Sequence, residues 1–316
     1  GRDIPQEVLD ETGKTVFQGT YQFDQHEYTK APVKAKTRIG GNGSKLESSI
    51  QEVLQKCNAH DGMTISFHHH FREGDLVVMQ VMNIIHELGY KDITICASSL
   101  SKAQDDLVPM IEDGTVTHIE TSGVRGKLGE AISEGKLKGI AILRSHGGRV
   151  RAIETGETKI DIAFIGAPSC DEYGNCRGVG GNSNCGVLSY AAIDAEYAEN
   201  VVILTDCIVP FPNFPADISM TNVDYVIKVD TIGDADKITT GAARPVTDMR
   251  KLMMAQSCAD FIACTPAFQD GFSFQTGIGG ASIATAQCLA EKMREKNIHM
   301  SFGAGGMSKP MCDLLE

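Results

Sequence analysis

Residues 61–89 read DGMTISFHHHFREGDLVVMQVMNIIHELG, one complete instance of the pattern that governs the chain. Met63–Phe67 is a short run of apolar and β-prone residues, which predicts a strand. Three histidines and Phe71-Arg72-Glu73-Gly74 then break it. From about Asp75 the residues Val77, Val81, Ile84, Ile85 and Leu88 fall on one helical face, and Gly89 stops the helix. Strand, polar loop and helix thus follow one another directly.

The alternation repeats downstream. Ile93–Ala97, Val116–Glu120, Ile140–Leu143, Ile160–Ile165, Val201–Thr205 and Tyr225–Val229 read as further strands. Lys127 to Gly135, the Ala-rich Gly186 to Glu199, Val246 to Ala263 behind Pro245, and Ala281 to Lys296 read as helices. Ser273–Gln275 and Met300–Phe302 read as short strands. Upstream, Ser44 with Glu47 three residues on has the form of a capping box, so a helix is expected there with Leu46, Ile50, Val53 and Leu54 on its apolar face. Residues 1 to about 43 are polar and turn-rich, as an extended arm would be. Many short strands separated by helices predict an α/β fold, a mostly parallel sheet flanked by helices on both faces. The expected division is an N-terminal arm and helix over 1–58, a first α/β domain over 59–298, and the start of a second domain over 299–316. Gly1 in place of a start methionine, and a helix just begun at Met311–Glu316, suggest a fragment of a longer protein.

Composition narrows the function classes. Hydrophobic residues make up 42% of the chain and charged residues 22%, enough to build a core. The net charge of −12 disfavours nucleic-acid binding, which calls for a basic face. No apolar run reaches the roughly 18 residues a membrane span needs. No charged-then-apolar leader is visible, so a cytoplasmic location is expected. The ten cysteines sit mostly in apolar stretches and lack any C-x-x-C spacing, which predicts reduced thiols rather than a disulfide scaffold or a structural zinc site. Cys170, Cys176 and Cys185 read as packing or loop cysteines in preference to a metal trio.

In parallel sheets ligands bind outside the carboxyl ends of the strands, so the loops there are the candidate site. They share a composition. Ser66 and His68-His69-His70-Phe71-Arg72 lie at the first; Ser122-Gly123-Val124-Arg125-Gly126 at the third; His146-Gly147-Gly148-Arg149 at the fourth. Cys170-Asp171-Glu172-Tyr173-Gly174-Asn175 follows the fifth, and Gly277-Ile278-Gly279-Gly280 lies near residue 275. Glycine allows close approach of backbone to ligand, turn and helix-start amides favour anionic oxygens, and arginine forks onto carboxylate or phosphate. Together they predict a site for a ligand rich in negative charge. Each loop also has a plainer reading. The three histidines alternate faces along a strand, so hydrogen bonding to backbone or ligand is preferred over a shared metal, and no metal site is expected. Arg125 and Arg149 could be salt-bridge partners, and Gly277, Gly279 and Gly280 could form a tight strand-to-helix turn. Residues 171–175 read as a rim turn rather than a carboxylate pair. The Gly-Gly-Asn-Gly run at 40–43 lacks the strand and the Gly-Lys-Ser of a phosphate loop. No Gly-x-Ser-x-Gly elbow, Walker loop or dinucleotide fingerprint occurs, so no catalytic nucleophile is assigned.

From about residue 44 onward these blocks resemble the citrate lyase α chain family, the citrate CoA-transferase subunit. The segments that carry the likeness are 61–69 with Phe71-Arg72, Thr121-Ser122-Gly123, 125–130, 145–150, Cys170-Asp171-Glu172, Val229-Asp230 with Gly233-Asp234, and 270–282. The resemblance implies a CoA-transferase-like fold shared with sugar-phosphate isomerases (NagB/RpiA-like). It implies exchange of the acetyl group of an acetyl-thioester carrier for citrate, through a ternary complex and an anhydride. No cofactor would be held permanently; a CoA-like prosthetic group would arrive on an acyl carrier (γ) subunit. A β subunit that cleaves the citryl-carrier, citrate and acetate are the other implied partners, and a homo-oligomer is expected. Arg125 and Arg149 would hold citrate or the prosthetic phosphates, and the 277–280 loop would line the thioester site. Two alternatives remain open: a free-CoA transferase with a glutamyl-thioester intermediate, and a docking half without catalysis of its own.

Overall fold

Eight short strands run parallel in one sheet. The structure is a computed structural model that describes residues 4–13, 15–16, 29–33, 43–240, 246–277, 279–304 and 309–314. Most of the expected 1–43 arm, with glycines 40 and 41, falls outside these residues. The chain divides into two units, Gly1–Ile238 and Thr239–Glu316. In order, the first carries α1 (Gln6–Thr12), β1 (Leu46–Glu47), α2 (Ile50–Lys56), β2 (Thr64–Phe67), α3 (Val77–Glu87), β3 (Ile93–Ala97), α4 (Val108–Glu112) and β4 (Val116–Thr121). It continues with α5 (Gly126–Ser133), β5 (Ala141–Leu143), α6 (His146–Glu154), β6 (Ile162–Gly166), β7 (Ser169–Cys170), β8 (Cys176–Arg177), α7 (Ala191–Tyr197), β9 (Asn200–Thr205) and β10 (Tyr225–Lys228), before α8 (Ala235–Thr240).

The sheet order is β1-β10-β9-β6-β2-β3-β4-β5. From β2 the chain steps outward through β3, β4 and β5, then β6 returns to the other side of β2. The direction of winding therefore reverses between β2 and β6, and in such sheets the ligand crevice lies beyond the carboxyl ends of the strands at that point. Both faces of the sheet are covered, and alternation along the central strands shows it. Ile162 and Phe164 of β6, with Val202 and Leu204 of β9, enter one core; Ala163 and Ile165, with Val201 and Ile203, enter the other. Every residue of β6 is buried. Gly166 ends that strand because a Cβ there would collide with the Phe71 ring and press on Val77.

Three expectations change. The helix foreseen from Ser44 begins at Ile50 instead, and its cap is Ser49, whose hydroxyl accepts from the Glu52 N–H at 3.2 Å. Leu46 and Glu47 form an edge strand paired to β10, and Leu46 is exposed rather than on the apolar face. Buried Lys45 anchors that edge by donating to the Val223 carbonyl at 2.6 Å. The segment 146–154, read only as a loop, is helical. Lastly, the first α/β unit ends near Ile238, not near residue 298. The reason is that β11 (Phe272–Gln275) does not join the large sheet but pairs in parallel with β12 (Met300–Ala304). With α9 (Met249–Ala263), α10 (Gly280–Lys296) and α11 (Lys309–Cys312) they form the second unit, which has its own core of Phe268, Phe272, Leu289, Met293 and Met300.

At the start of α3, Asp75 is buried. It accepts from the Val78 N–H at 3.2 Å and the Gln104 amide at 3.0 Å, while its Oδ1 has no partner among the described residues. Burial pushes this carboxyl up to about 7, and the two donors offset only part of that. The folded state therefore keeps a proton that the unfolded chain releases near pH ~4. Its stabilising contribution is complete below about pH 4 and is lost as pH rises through about 7. Asp75→Asn should gain stability relative to the parent, by about 1–4 kcal/mol, between about pH 5 and about pH 8. Urea unfolding at the two pH values measures this; a difference that does not change with pH contradicts it.

Candidate active site

The floor of the crevice is a buried ionic network. Arg149, 3% exposed on α6, donates through Nη1 and Nη2 to the two carboxylate oxygens of Asp194 on α7, at 2.8 and 2.7 Å. His68 Nε2, from the segment after β2, lies 3.0 Å from Asp194 Oδ2. Burial alone would push the Asp194 carboxyl up. The Arg149 guanidinium and His68 outweigh it and hold that carboxyl well below the usual carboxylate range. One carboxylate thus ties together the β2 loop, α6 and α7. Arg149, expected to meet substrate, is buried and committed to this pair.

Above the floor lies a ring of three aromatic side chains. The His69 ring stands edge-on to His146 with centroids 5.7 Å apart and stacks on Tyr190 at 6.2 Å; His146 and Tyr190 are 5.0 Å apart. His146 is the first residue of α6, and Tyr190 immediately precedes α7. His69 Nδ1 lies 2.6 Å from Ser98 Oγ, which also accepts the His69 backbone N–H at 3.1 Å. Burial, with the neighbouring His146, His68, Arg72 and Arg149, pushes the His69 imidazolium down to about 4, so the ring is neutral at pH 7. His70 Nε2 lies 2.9 Å from the Gly166 carbonyl oxygen of β6, across the crevice itself, and burial pushes that imidazole down to about 3. Each of the three consecutive histidines therefore has its own partner. Among the described residues no group of His, Cys, Asp and Glu side chains is placed to hold a metal ion.

The neighbouring loops are stitched to this ring. Ser122 Oγ donates to the Ser98 carbonyl, Leu100 N–H to Gly123 O at 2.9 Å, and Arg125 N–H to Leu100 O at 3.2 Å. Gly126, at φ +71°, opens α5; a Cβ there would strike the Asp105 carboxylate, which accepts the Leu128 N–H at 3.2 Å. Ser145 caps α6 by accepting the Gly148 N–H at 3.0 Å, and around Gly147 a side chain would meet nothing within 4 Å. Arg72 and Arg125 are exposed, and neither guanidinium makes a hydrogen bond or ion pair among the described residues. Arg72 has φ +53°, a left-handed conformation uncommon outside glycine and the kind of backbone strain that gathers at functional sites.

The structure thus brings together His68, His69, Arg72, Ser122, Gly123, Arg125, Gly126, His146, Gly147, Gly148 and Arg149 at the carboxyl edge. Ser66 is not on that surface; it is fully buried in β2 and its hydroxyl has no partner in the described residues. Gly277, Gly279 and Gly280 belong to the second unit, between β11 and α10, with Gly280 as the first residue of that helix and Ile278 outside the described residues. Sequence reasoning missed Ser98, Tyr190 and Asp194. Asp194 had a signal: a lone carboxylate within Ala191-Ala192-Ile193-Asp194-Ala195, a helix otherwise fit for burial, needs a buried partner.

Removing that carboxylate leaves a buried guanidinium without its counter-charge. Asp194→Asn should lose about 3–5 kcal/mol of stability at neutral pH, read by urea unfolding. Because the folded carboxyl is depressed, its contribution is present above about pH 4 and fades only as pH falls toward the lower folded value. A loss under about 1 kcal/mol contradicts the ionic floor.

The family model for citrate lyase, alpha subunit (CitF), matches residues 43–316. The citrate lyase alpha chain of Escherichia coli (strain K12) is 47% identical over 272 residues, 86% of this chain and 53% of that one. A crystal structure of the alpha subunit of citrate lyase from Streptococcus mutans, in complex with citrate, matches at TM-score 0.90 and 45% identity, over 100% of this chain and 61% of that one. An acyl-CoA transferase from E. coli O157:H7, at 15% identity and TM-score 0.56 over 89% of this chain and 65% of its own, shares the fold. The chain spans 53% to 61% of the length of the two citrate lyase proteins. With a match that runs through the whole carboxyl-edge site, this chain belongs to the citrate lyase alpha subunit family.

Proposed function

We propose that this chain carries the citrate- and acyl-binding face of a citrate CoA-transferase. The observation that supports this most is the likeness, over the entire chain, to a subunit crystallised with citrate. The reaction exchanges the acetyl group of an acetyl-thioester carrier for citrate. A citrate carboxylate oxygen attacks the thioester carbonyl carbon, and collapse of the tetrahedral oxyanion expels the thiolate and leaves a citryl-acetyl anhydride. The thiolate then attacks the citryl carbonyl, and acetate departs. The thioester joins the acyl group to the thiol of a CoA-like prosthetic group on an acyl carrier subunit, and a β subunit cleaves the citryl-carrier.

Such chemistry asks the protein to place two anions and stabilise oxyanions. The site suits it. At this edge Arg72 and Arg125 are exposed guanidinium groups with no partner among the described residues, and a tricarboxylate supplies them. Gly147 leaves the first turn of α6 open to a ligand oxygen. Asp194 is fully buried and ion-paired, so it is held back from attack on a thioester, in keeping with a ternary complex rather than an acyl-enzyme at this site.

Replacing Arg125 by Ala in the full-length subunit, assembled with its carrier, should slow acetyl-for-citrate exchange at least about tenfold, the worth of one charged hydrogen-bonding contact. An unchanged rate removes Arg125 from the site. Borohydride trapping of a covalent adduct in the same preparation would favour a glutamyl-thioester route instead.

A further inference from the structure

We infer that His69 serves as a neutral hydrogen-bond donor, held by Ser98 so that its Nε2–H meets the acyl oxygen on which negative charge develops. This deepens the transferase reading and rests on it. Ser98 is 2% exposed, and its Oγ already accepts the His69 backbone N–H. Its own hydroxyl proton needs an acceptor, and among the described residues His69 Nδ1, 2.6 Å away, is the one within reach. A hydroxyl that donates to Nδ1 leaves the imidazole proton on Nε2. His69 is half-buried and its Nε2 is not among the buried side-chain atoms that lack a partner, so this nitrogen is left accessible next to His146 and Tyr190.

The surroundings keep the ring uncharged. His68, His70 and Arg72 come from its own segment, His146 and Arg149 from α6, and Tyr190 from the start of α7. Two of these are permanent cations. The carboxylate below, Asp194, is occupied by Arg149 and His68 rather than by His69. A neutral donor suits the step. When the citrate oxygen bonds to the thioester carbon, an electron pair moves onto the carbonyl oxygen, which His69 Nε2–H stabilises by hydrogen bonding. When the pair returns and the carbon–sulfur bond breaks, His69 still carries its proton. No proton is transferred, so neutrality at working pH costs nothing, whereas an imidazolium would bind citrate in the ground state as strongly as the developing oxyanion.

The test is nitrogen-15 NMR of the histidine side chains, with the His69 resonances identified by their loss in His69→Gln. Between about pH 5.5 and about pH 8.5, above the depressed value of about 4, His69 should remain neutral with its proton on Nε2. Ser98→Ala should release the ring into a tautomer mixture. Protonation within that window, or a proton on Nδ1, overturns the proposal. In the exchange assay His69→Gln, which still presents a donor, should stay within about tenfold of the parent, while His69→Phe should lose about a hundredfold or more. Equal rates for parent and His69→Phe overturn the donor role. A parent subunit that transfers nothing overturns the transferase reading and the acyl-oxygen role with it, and leaves the tautomer result standing.

Discussion

A single buried carboxylate organises the carboxyl edge of the large sheet. Asp194 holds Arg149 in a two-point fork and His68 through one ring nitrogen, and these three residues sit on α7, α6 and the β2 loop. Taking an ion pair out of water costs several kcal/mol for each ion, and only good geometry repays it. Such a floor admits one arrangement of the three elements. That arrangement brings His69, His146 and Tyr190, one from each element, into mutual contact.

The location follows from topology. Winding reverses between β2 and β6, so their carboxyl ends cannot be bridged by a short connection and a crevice remains. His70 crosses it to the Gly166 carbonyl, and burial of Gly166 against Phe71 brings the β6 end close to the β2 loop. Burial holds His69 and His70 neutral, so both act as uncharged hydrogen-bonding groups. Positive charge is supplied separately by Arg72 and Arg125, which remain in solvent where the cost of desolvation is small.

Much of this was legible in the sequence because parallel strands announce themselves. Ile93–Ala97 was read to the residue, and the other strands that were foreseen to within two residues, since a strand buried on both faces is a short apolar run between polar loops; the short pair Ser169–Cys170 and Cys176–Arg177 was read as loop. The edge strand Leu46–Glu47 was not legible. Two residues carry no period, and the Ser44–Glu47 spacing imitated a cap that belongs to Ser49. Helix α6 was hidden by two glycines and an arginine in its first turn, which read as loop chemistry. In the site, the loops that carry glycine and arginine stood out, but which arginine is free did not. That depends on Asp194, 45 residues beyond Arg149, and on a pairing that only the fold creates. The same holds for Ser98 and Tyr190, whose roles arise from what lies opposite them.

The claim on which the account turns is that citrate binds on Arg72 and Arg125, beside the ring of His69, His146 and Tyr190. A crystal structure of this chain with citrate tests it most directly. The predicted result is citrate beside this ring, with Arg72 or Arg125 turned onto a carboxylate. Citrate bound elsewhere, for instance in the surface groove lined by Leu76, Gln80, Asn83 and Lys228, with neither guanidinium engaged, would contradict it.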